Sequence, residues 1–64
     1  MKTIKEIYNN GLTLILESAS SNDGIILGYV INRYEDGLRY YLSSPLNLTE
    51  ADEHLEFFQN VYKK

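Results

Sequence analysis

The chain has 64 residues, no cysteine, one histidine and a net charge of −3. This length allows one small domain, which buries only about 60% of its unfolded surface and has a thin core. Without disulfides or a cysteine–histidine metal site, its stability depends on good packing or on a partner. Nine acidic residues against six basic ones argue against general nucleic-acid binding, because that requires a basic face.

The chain also lacks the marks of export or membrane insertion. Its apolar runs are only a few residues long, too short to span a bilayer. The first ten residues, MKTIKEIYNN, contain polar side chains throughout and lack the apolar centre of a signal peptide. We therefore expect a cytoplasmic protein that has no membrane partner.

The first element is predicted to be a short helix over residues 2 to 10. Ile4, Ile7 and Tyr8 have the three- and four-residue spacing of one helix face. Asn10-Gly11 suits the end of such a helix, because both residues tolerate the left-handed conformation of a C-terminal cap. A helix this short must pack on another element.

Three strands follow. LTLILESA, residues 12 to 19, alternates in polarity with its three leucines on one side, as in a half-buried strand. After the polar loop SASSNDG, the second strand, IILGYVINRYE, is apolar on both faces for much of its length, which suits a central position. Asp36-Gly37 turns the chain into a third strand, LRYYLSS, which Pro45 ends because proline cannot donate to a sheet.

The last helix is predicted to begin at Thr49, a favourable N-cap residue. Its apolar stripe at helical spacing is Ala51, Leu55, Phe58 and Tyr62. The order is then α-β-β-β-α, a three-stranded antiparallel meander with two helices packed on one face. We expect residues 1–64 to form this single small α+β domain.

The second hairpin admits two registers, which place different side chains on the outside. A two-residue turn pairs Glu35 with Leu38 and brings Arg33 to the same face as Tyr40, whereas a three-residue loop pairs Tyr34 with Leu38. We favour the three-residue loop, because it separates polar from apolar residues better. It gives the helix side Ile26, Val30, Tyr34, Leu38, Tyr40 and Leu42. It gives the other side Arg33, Arg39, Tyr41 and Ser43.

Large apolar side chains remain on the face turned away from the helices. In the favoured register they are Leu27, Tyr29, Ile31 and Tyr41, near Ile15. A small monomer seldom exposes such a patch without a use, and tyrosine and arginine often supply binding energy; a cover of loops or an ordinary tyrosine-rich surface is the alternative. The leucine-rich first strand is an open edge, so a homodimer through the sheet face or an edge strand is also possible.

The last helix carries the chain's only histidine and its densest charge. His54 and Glu50 can share a helix face, but two ligands are too few for a metal site, so we interpret His54 as a helix-flank residue beside the core. The acidic residues are Glu50, Asp52, Glu53 and Glu56. They suit a helix N-terminus and a solvated face. Alternatively, together with Glu35 and Asp36, they imitate DNA phosphates.

No catalytic pattern is present. The serines of the SASSNDG loop have no histidine near them in sequence, and no Gly-x-Ser-x-Gly elbow occurs. Gly24 and Gly28 do not form a phosphate-binding loop. We therefore expect no enzyme activity and no cofactor.

Several segments together form a recognisable pattern. They are a short I-x-E-I helix, here Ile4 to Ile7, a strand with the SASSNDG loop, an apolar central strand, a DG hairpin turn, a tyrosine-bearing strand and an acidic closing helix. This order resembles the small phage-encoded inhibitors of bacterial defence, and in particular a compact acidic anti-CRISPR that blocks Cas9. The chain is shorter, less acidic and lacks the extended acidic segments that imitate DNA. The resemblance therefore implies a class, a non-catalytic blocker that binds stoichiometrically, and leaves the target open.

We accordingly expect a protein–protein interaction module, an inhibitor of a bacterial defence system whose partner is a host protein or complex. The residues predicted to bind it are Tyr29, Arg33, Arg39, Tyr41, Glu35, Asp36, Glu50, Asp52, Glu53 and Glu56. One alternative is a homo-oligomer that binds a small anionic or nucleotide ligand through Arg33, Arg39 and tyrosine rings. Another is a structural or assembly subunit.

Overall fold

The computed structural model describes residues 2–62. Its elements are the strands β1 (Lys2–Asn9), β2 (Leu12–Ser20), β3 (Ile26–Glu35) and β4 (Leu38–Ser43) and the helix α1 (Leu48–Val61). The strands form one antiparallel sheet in the order β1-β2-β3-β4. The predicted α-β-β-β-α order is therefore wrong: the described chain has four strands and a single helix, which packs on one face of the sheet.

Residues 2–9 form a strand where the spacing of three apolar residues predicted a helix. KTIKEIYN is rich in β-branched and aromatic residues, and a helix of two turns is marginal. Asn10 and Gly11 have φ values of 51° and 82°, so both are left-handed, as in the two-residue type I′ turn of a hairpin. The left-handed conformation was predicted correctly, but it closes a hairpin and does not cap a helix.

The leucine-rich strand β2 is consequently an inner strand. It pairs with β1 on one side and with β3 on the other, so the open edge predicted for it does not exist. Leu12, Leu14 and Leu16 all point towards α1 and are buried. Each such leucine stabilises the fold by about 1.5–3 kcal/mol relative to an exposed one. β1 therefore protects the strand that carries half of the buried core residues.

The buried core joins β2 to β3 and α1. It consists of Leu12, Leu14, Leu16, Ile31, Ala51 and Leu55, with Ile7, Tyr29, Leu42, Phe58 and Tyr62 packed around it. The predicted stripe of α1 is confirmed, because all four of its residues lie in this set. Tyr29 and Ile31, which were expected on the outer face, lie on the helix side, and that expectation is wrong.

The second hairpin has the two-residue turn, so the favoured three-residue loop is also wrong. Asp36 and Gly37 have φ values of 54° and 78°, which is again a type I′ turn. Glu35 pairs with Leu38, and Arg33 pairs with Tyr40. The twist of a type I′ turn matches that of the strands it joins, and this outweighs the better sorting of polarity that favoured the longer loop.

The helix α1 begins at Leu48, and its N-cap lies two residues before the predicted one. Its N-cap is Asn47, and not Thr49, because the Asn47 Oδ1 accepts a hydrogen bond of 2.8 Å from the Glu50 N–H. β4 ends at Ser43, and Pro45 is buried in the connection to α1. This connection places the start of α1 close to the end of β4.

The first turn can be tested with two glycines that differ in φ. Gly11→Ala is expected to destabilise the protein by about 1–2 kcal/mol, because φ is +82° there although the space is open. Gly28→Ala is the control. A Cβ added at Gly28 also meets no atom within 4 Å, and the φ of Gly28 is not left-handed. This variant is expected to be neutral or stabilising by about 0.5 kcal/mol. Urea unfolding measures both; equal effects would contradict the type I′ turn.

Candidate functional site

The sheet has two unlike faces. The covered face, which carries Leu12, Leu14, Leu16 and Ile31, packs against α1. The open face is the opposite one, and its side chains follow from the cross-strand pairs because paired residues share a face. One row across the open face is Tyr8, Thr13, Tyr34 and Arg39. The next is Glu6, Ile15, Asn32 and Tyr41.

The open face combines exposed aromatic rings with a cation. Tyr8 and Tyr41 are 74% and 65% exposed, and Arg39 is exposed beside the half-buried Tyr34. The Tyr41 hydroxyl lies 2.6 Å from the Ser44 Oγ, which orients the ring. No ion pair of Arg39 occurs within residues 2–62, so its guanidinium is available to a partner.

A polar pair lies between these rings. The Asn32 Nδ2 donates a hydrogen bond of 3.0 Å to the Glu17 Oε1, and Asn32 is buried although no helix covers this face. Because Tyr41 and Ile15 are its cross-strand neighbours, Asn32 is enclosed by side chains of the sheet itself. The satisfied amide contributes to a well-ordered centre of the open face.

Arg33 lies on the covered face, so the expectation that it would stand outside with Arg39 and Tyr41 is wrong. Its Cζ lies 4.2 Å from the ring centroid of Tyr40 and 5.1 Å from that of Tyr62. Its Nη1 lies 3.9 Å from the Glu35 Oε1. A planar guanidinium can stack between two rings while its charge is partly balanced, and this is how the covered face accepts an arginine.

A concavity of about 280 Å³ opens beside this stacked arginine. Its lining residues are Asn9, Asn10, Leu12, Arg33, Glu35 and Tyr62. The Nε of Arg33 is buried and has no hydrogen-bond acceptor among the described residues. Buried donors are normally paired, so this one is a candidate contact for a small acceptor.

The remaining predicted residues are not part of the open face. Tyr29 packs against the core, Glu35 lies beside Arg33, and Asp36 is a left-handed turn residue. The acidic residues Glu50, Asp52, Glu53 and Glu56 belong to α1, on the other side of the sheet. Of the predicted sheet residues, only Arg39 and Tyr41 share the open face. One flat partner surface therefore cannot contain both the tyrosines of the open face and the acids of α1.

One residue of the acidic cluster, Glu50, makes contacts within the protein. The Glu50 Oε1 accepts a hydrogen bond of 3.2 Å from the Leu46 N–H and lies 3.8 Å from the His54 Nε2. The His54 Nδ1 lies 3.0 Å from the Ser43 Oγ. His54 is thus the helix-flank residue that the sequence indicated, and its contacts connect α1 to β4.

Tyr8 and Tyr34 belong to the open face and were missed by the sequence analysis. Tyr8 was assigned to a helix, and the wrong register placed Tyr34 on the helix side. Asn10-Gly11 was the signal in the sequence that pointed to β1, because Asn-Gly is a strong hairpin indicator. With that strand recognised, Tyr8 falls beside Thr13, in the same row as Tyr34 and Arg39.

Comparison with known proteins gives no match: no protein-family model, no curated protein and no solved structure matches the chain. Within residues 2–62, no helix is long and apolar enough to cross a membrane. The same residues contain no group of three or more histidine, aspartate or glutamate side chains placed to hold a metal ion.

Replacement of Arg33 tests its stacked position. Arg33→Lys is expected to cost about 1 kcal/mol in the free energy of unfolding, because an ammonium group cannot stack between Tyr40 and Tyr62. Arg39→Lys makes the same change on the open face and is expected to cost less than about 0.5 kcal/mol. Denaturant unfolding of both variants is the measurement. If Arg39→Lys proved the more damaging one, the assignment of the two arginines to opposite faces would be contradicted.

Proposed function

We propose that this protein is a non-catalytic protein-binding module that contacts its partner through the open face. The observation that carries the proposal is the set of exposed aromatic and basic side chains on that face: Tyr8 and Tyr41 are largely exposed, and Arg39 has no ion pair within the described chain. Tyrosine and arginine are enriched among the residues that dominate binding energy at interfaces. The described helix leaves these side chains uncovered.

The side chains of the open face are held in fixed positions, which also favours binding. The strands hold Tyr41 and Arg39 at fixed positions, and the Tyr41 hydroxyl bonds to Ser44. Binding therefore costs little side-chain entropy, because these side chains are already ordered before the partner arrives. A flat sheet surface suits another protein, whereas small molecules normally require a concave site.

The class of partner rests on the resemblance to phage-encoded inhibitors. It suggests a component of a bacterial defence system, blocked by occupancy and without chemistry. The acidic side of α1, with Asp52, Glu53 and Glu56, is then a second surface, separate from the open face. Because the two surfaces lie on opposite sides of the sheet, variants can separate their contributions.

The test compares baits that differ on one surface only. The wild-type chain, Tyr41→Ala, Arg39→Glu and the helix control Glu53→Lys are used to capture proteins from a bacterial lysate, which mass spectrometry identifies. The open-face variants are expected to lose a protein that wild type and Glu53→Lys retain.

Calorimetry with the purified partner is expected to give a dissociation constant raised at least about tenfold by Tyr41→Ala. The thermal midpoint of each variant should stay close to that of wild type. A protein retained equally by all four baits would contradict the use of the open face. A large loss of stability in Tyr41→Ala would place that ring in a structural role.

A second candidate function is the binding of a small anion or nucleotide at Arg33. The buried and unpaired Nε of Arg33 and the adjoining concavity favour it. Arginine beside aromatic rings suits phosphate recognition and base stacking. Arg39 lies on the open face, so it cannot help Arg33 hold one small ligand within a single copy.

Phosphate and ATP are the probes for this second function. A rise in the thermal midpoint with increasing ATP is expected for wild type and for Arg39→Lys, and a smaller rise for Arg33→Lys. Glu35→Gln is expected to bind more tightly, because it removes the carboxylate 3.9 Å from the Arg33 Nη1. The absence of any rise in wild type would contradict the site.

A further inference from the structure

The two edges of the sheet differ in their protection against pairing. β1 carries Lys2 and Lys5 and is bulged at Ile4, which are features that discourage contact with another strand. β4 also has a bulge, at Leu42, but it is regular from Leu38 to Tyr41 and contains neither lysine nor proline. We propose that β4 pairs with β4 of a second copy of this chain, so that the two sheets become one continuous sheet.

The register of the second hairpin determines which backbone groups of β4 can pair with a second copy. In a two-residue hairpin the pair next to the turn, Glu35 and Leu38, is hydrogen-bonded, and bonded and non-bonded pairs then alternate. Arg39 and Tyr41 therefore direct their N–H and C=O groups away from β3. An antiparallel second copy with Tyr40 opposite Tyr40 puts each Arg39 opposite the other copy's Tyr41. Both residues of such a pair then satisfy their outward groups.

The same register also matches the side chains. On the open face, Arg39 comes beside the second copy's Tyr41, which forms a cation–π pair that the symmetry repeats. On the covered face, Tyr40 meets its own symmetry mate, and the regular pairing ends at Tyr41 of each copy, because Leu42 is bulged. A two-fold axis normal to the sheet brings like faces together, and this is the closed symmetry of most homodimers.

α1 adds an apolar strip next to β4. His54 identifies the flank of α1 that faces β4, because it lies 3.0 Å from Ser43. Phe57 and Val61 follow His54 on this flank at helical spacing, and they are 61% and 53% exposed. The two-fold axis turns the two strips towards each other, so this apolar surface faces its counterpart in the second copy.

The size and charge of the contact suit a dimer. Leu38 and Tyr40, which are 57% and 40% exposed, lie on the same side of the sheet as α1 and add apolar surface to that of Phe57 and Val61. These side chains expose on the order of 400 Å² per copy. With the two paired edges they reach the total of about 1,000 Å² that a specific interface requires. Each chain has a net charge of −3 and these four side chains are uncharged, while Glu50, on the same flank of α1, lies 3.8 Å from the His54 Nε2.

Disulfide trapping tests the register, because the chain has no cysteine of its own. Tyr40→Cys places two thiols at a non-hydrogen-bonded pair, whose Cα separation of about 4.5 Å allows a disulfide. Mild oxidation of the full chain is expected to give a covalent dimer. Glu6→Cys, in the middle of the β1 edge, is expected to remain monomeric under the same conditions. Cross-linking through Glu6→Cys and not through Tyr40→Cys would overturn the proposal.

Sedimentation equilibrium tests the strip on α1. Wild type is expected to be a dimer at micromolar concentration, and Phe57→Lys is expected to raise the dissociation constant at least about tenfold. Gln59→Lys adds the same charge on the flank facing β1 and is expected to leave the dimer unchanged. Circular dichroism checks that both variants fold. A monomeric wild type, or equal dissociation constants for the two variants, would overturn the proposal. The outcome does not depend on whether the open face binds another protein.

Discussion

Two left-handed dipeptides, Asn10-Gly11 and Asp36-Gly37, control the arrangement of the whole sheet. Each allows only two residues between its strands, and this sets the register of the first and the last strand pair. Because side chains alternate between faces, a register shifted by one residue would exchange everything on β4 between the faces. The turns therefore determine that Arg33 stacks under α1 and that Arg39 and Tyr41 stand outside.

The need to cover β2 explains the remainder of the architecture. Its three leucines lie between the sheet and α1, while its two edges are closed by β1 and β3. Once Lys2–Asn9 has paired with it, the chain needs no second helix to build the core. A single helix covers only one face of the sheet. The other face stays open, and this open face is the candidate partner surface.

The distribution of charge and aromatic rings follows the same division. Three of the six tyrosines, Tyr8, Tyr34 and Tyr41, lie on the open face, and the other three lie on the helix side. The acids of α1 project from the opposite side of the molecule. The edge of β4 connects the two sides, so a second copy bound there would extend the open face without covering it.

The sequence by itself determined the last three strands, the apolar stripe of α1 and the left-handed residues Asn10, Gly11 and Gly37. These depend on local alternation, helical spacing and the low cost of Asn and Gly at positive φ. Only the tertiary structure decided that residues 2–9 form a strand, because Ile4, Ile7 and Tyr8 have helical spacing and Asn10-Gly11 suits a helix end as well as a hairpin. The strand forms with a bulge at Ile4, and it covers the edge of β2. The tertiary structure also decided the side of Arg33, because its half-buried guanidinium is stabilised there by Tyr40 from the same hairpin and by Tyr62 from α1, which is distant in sequence.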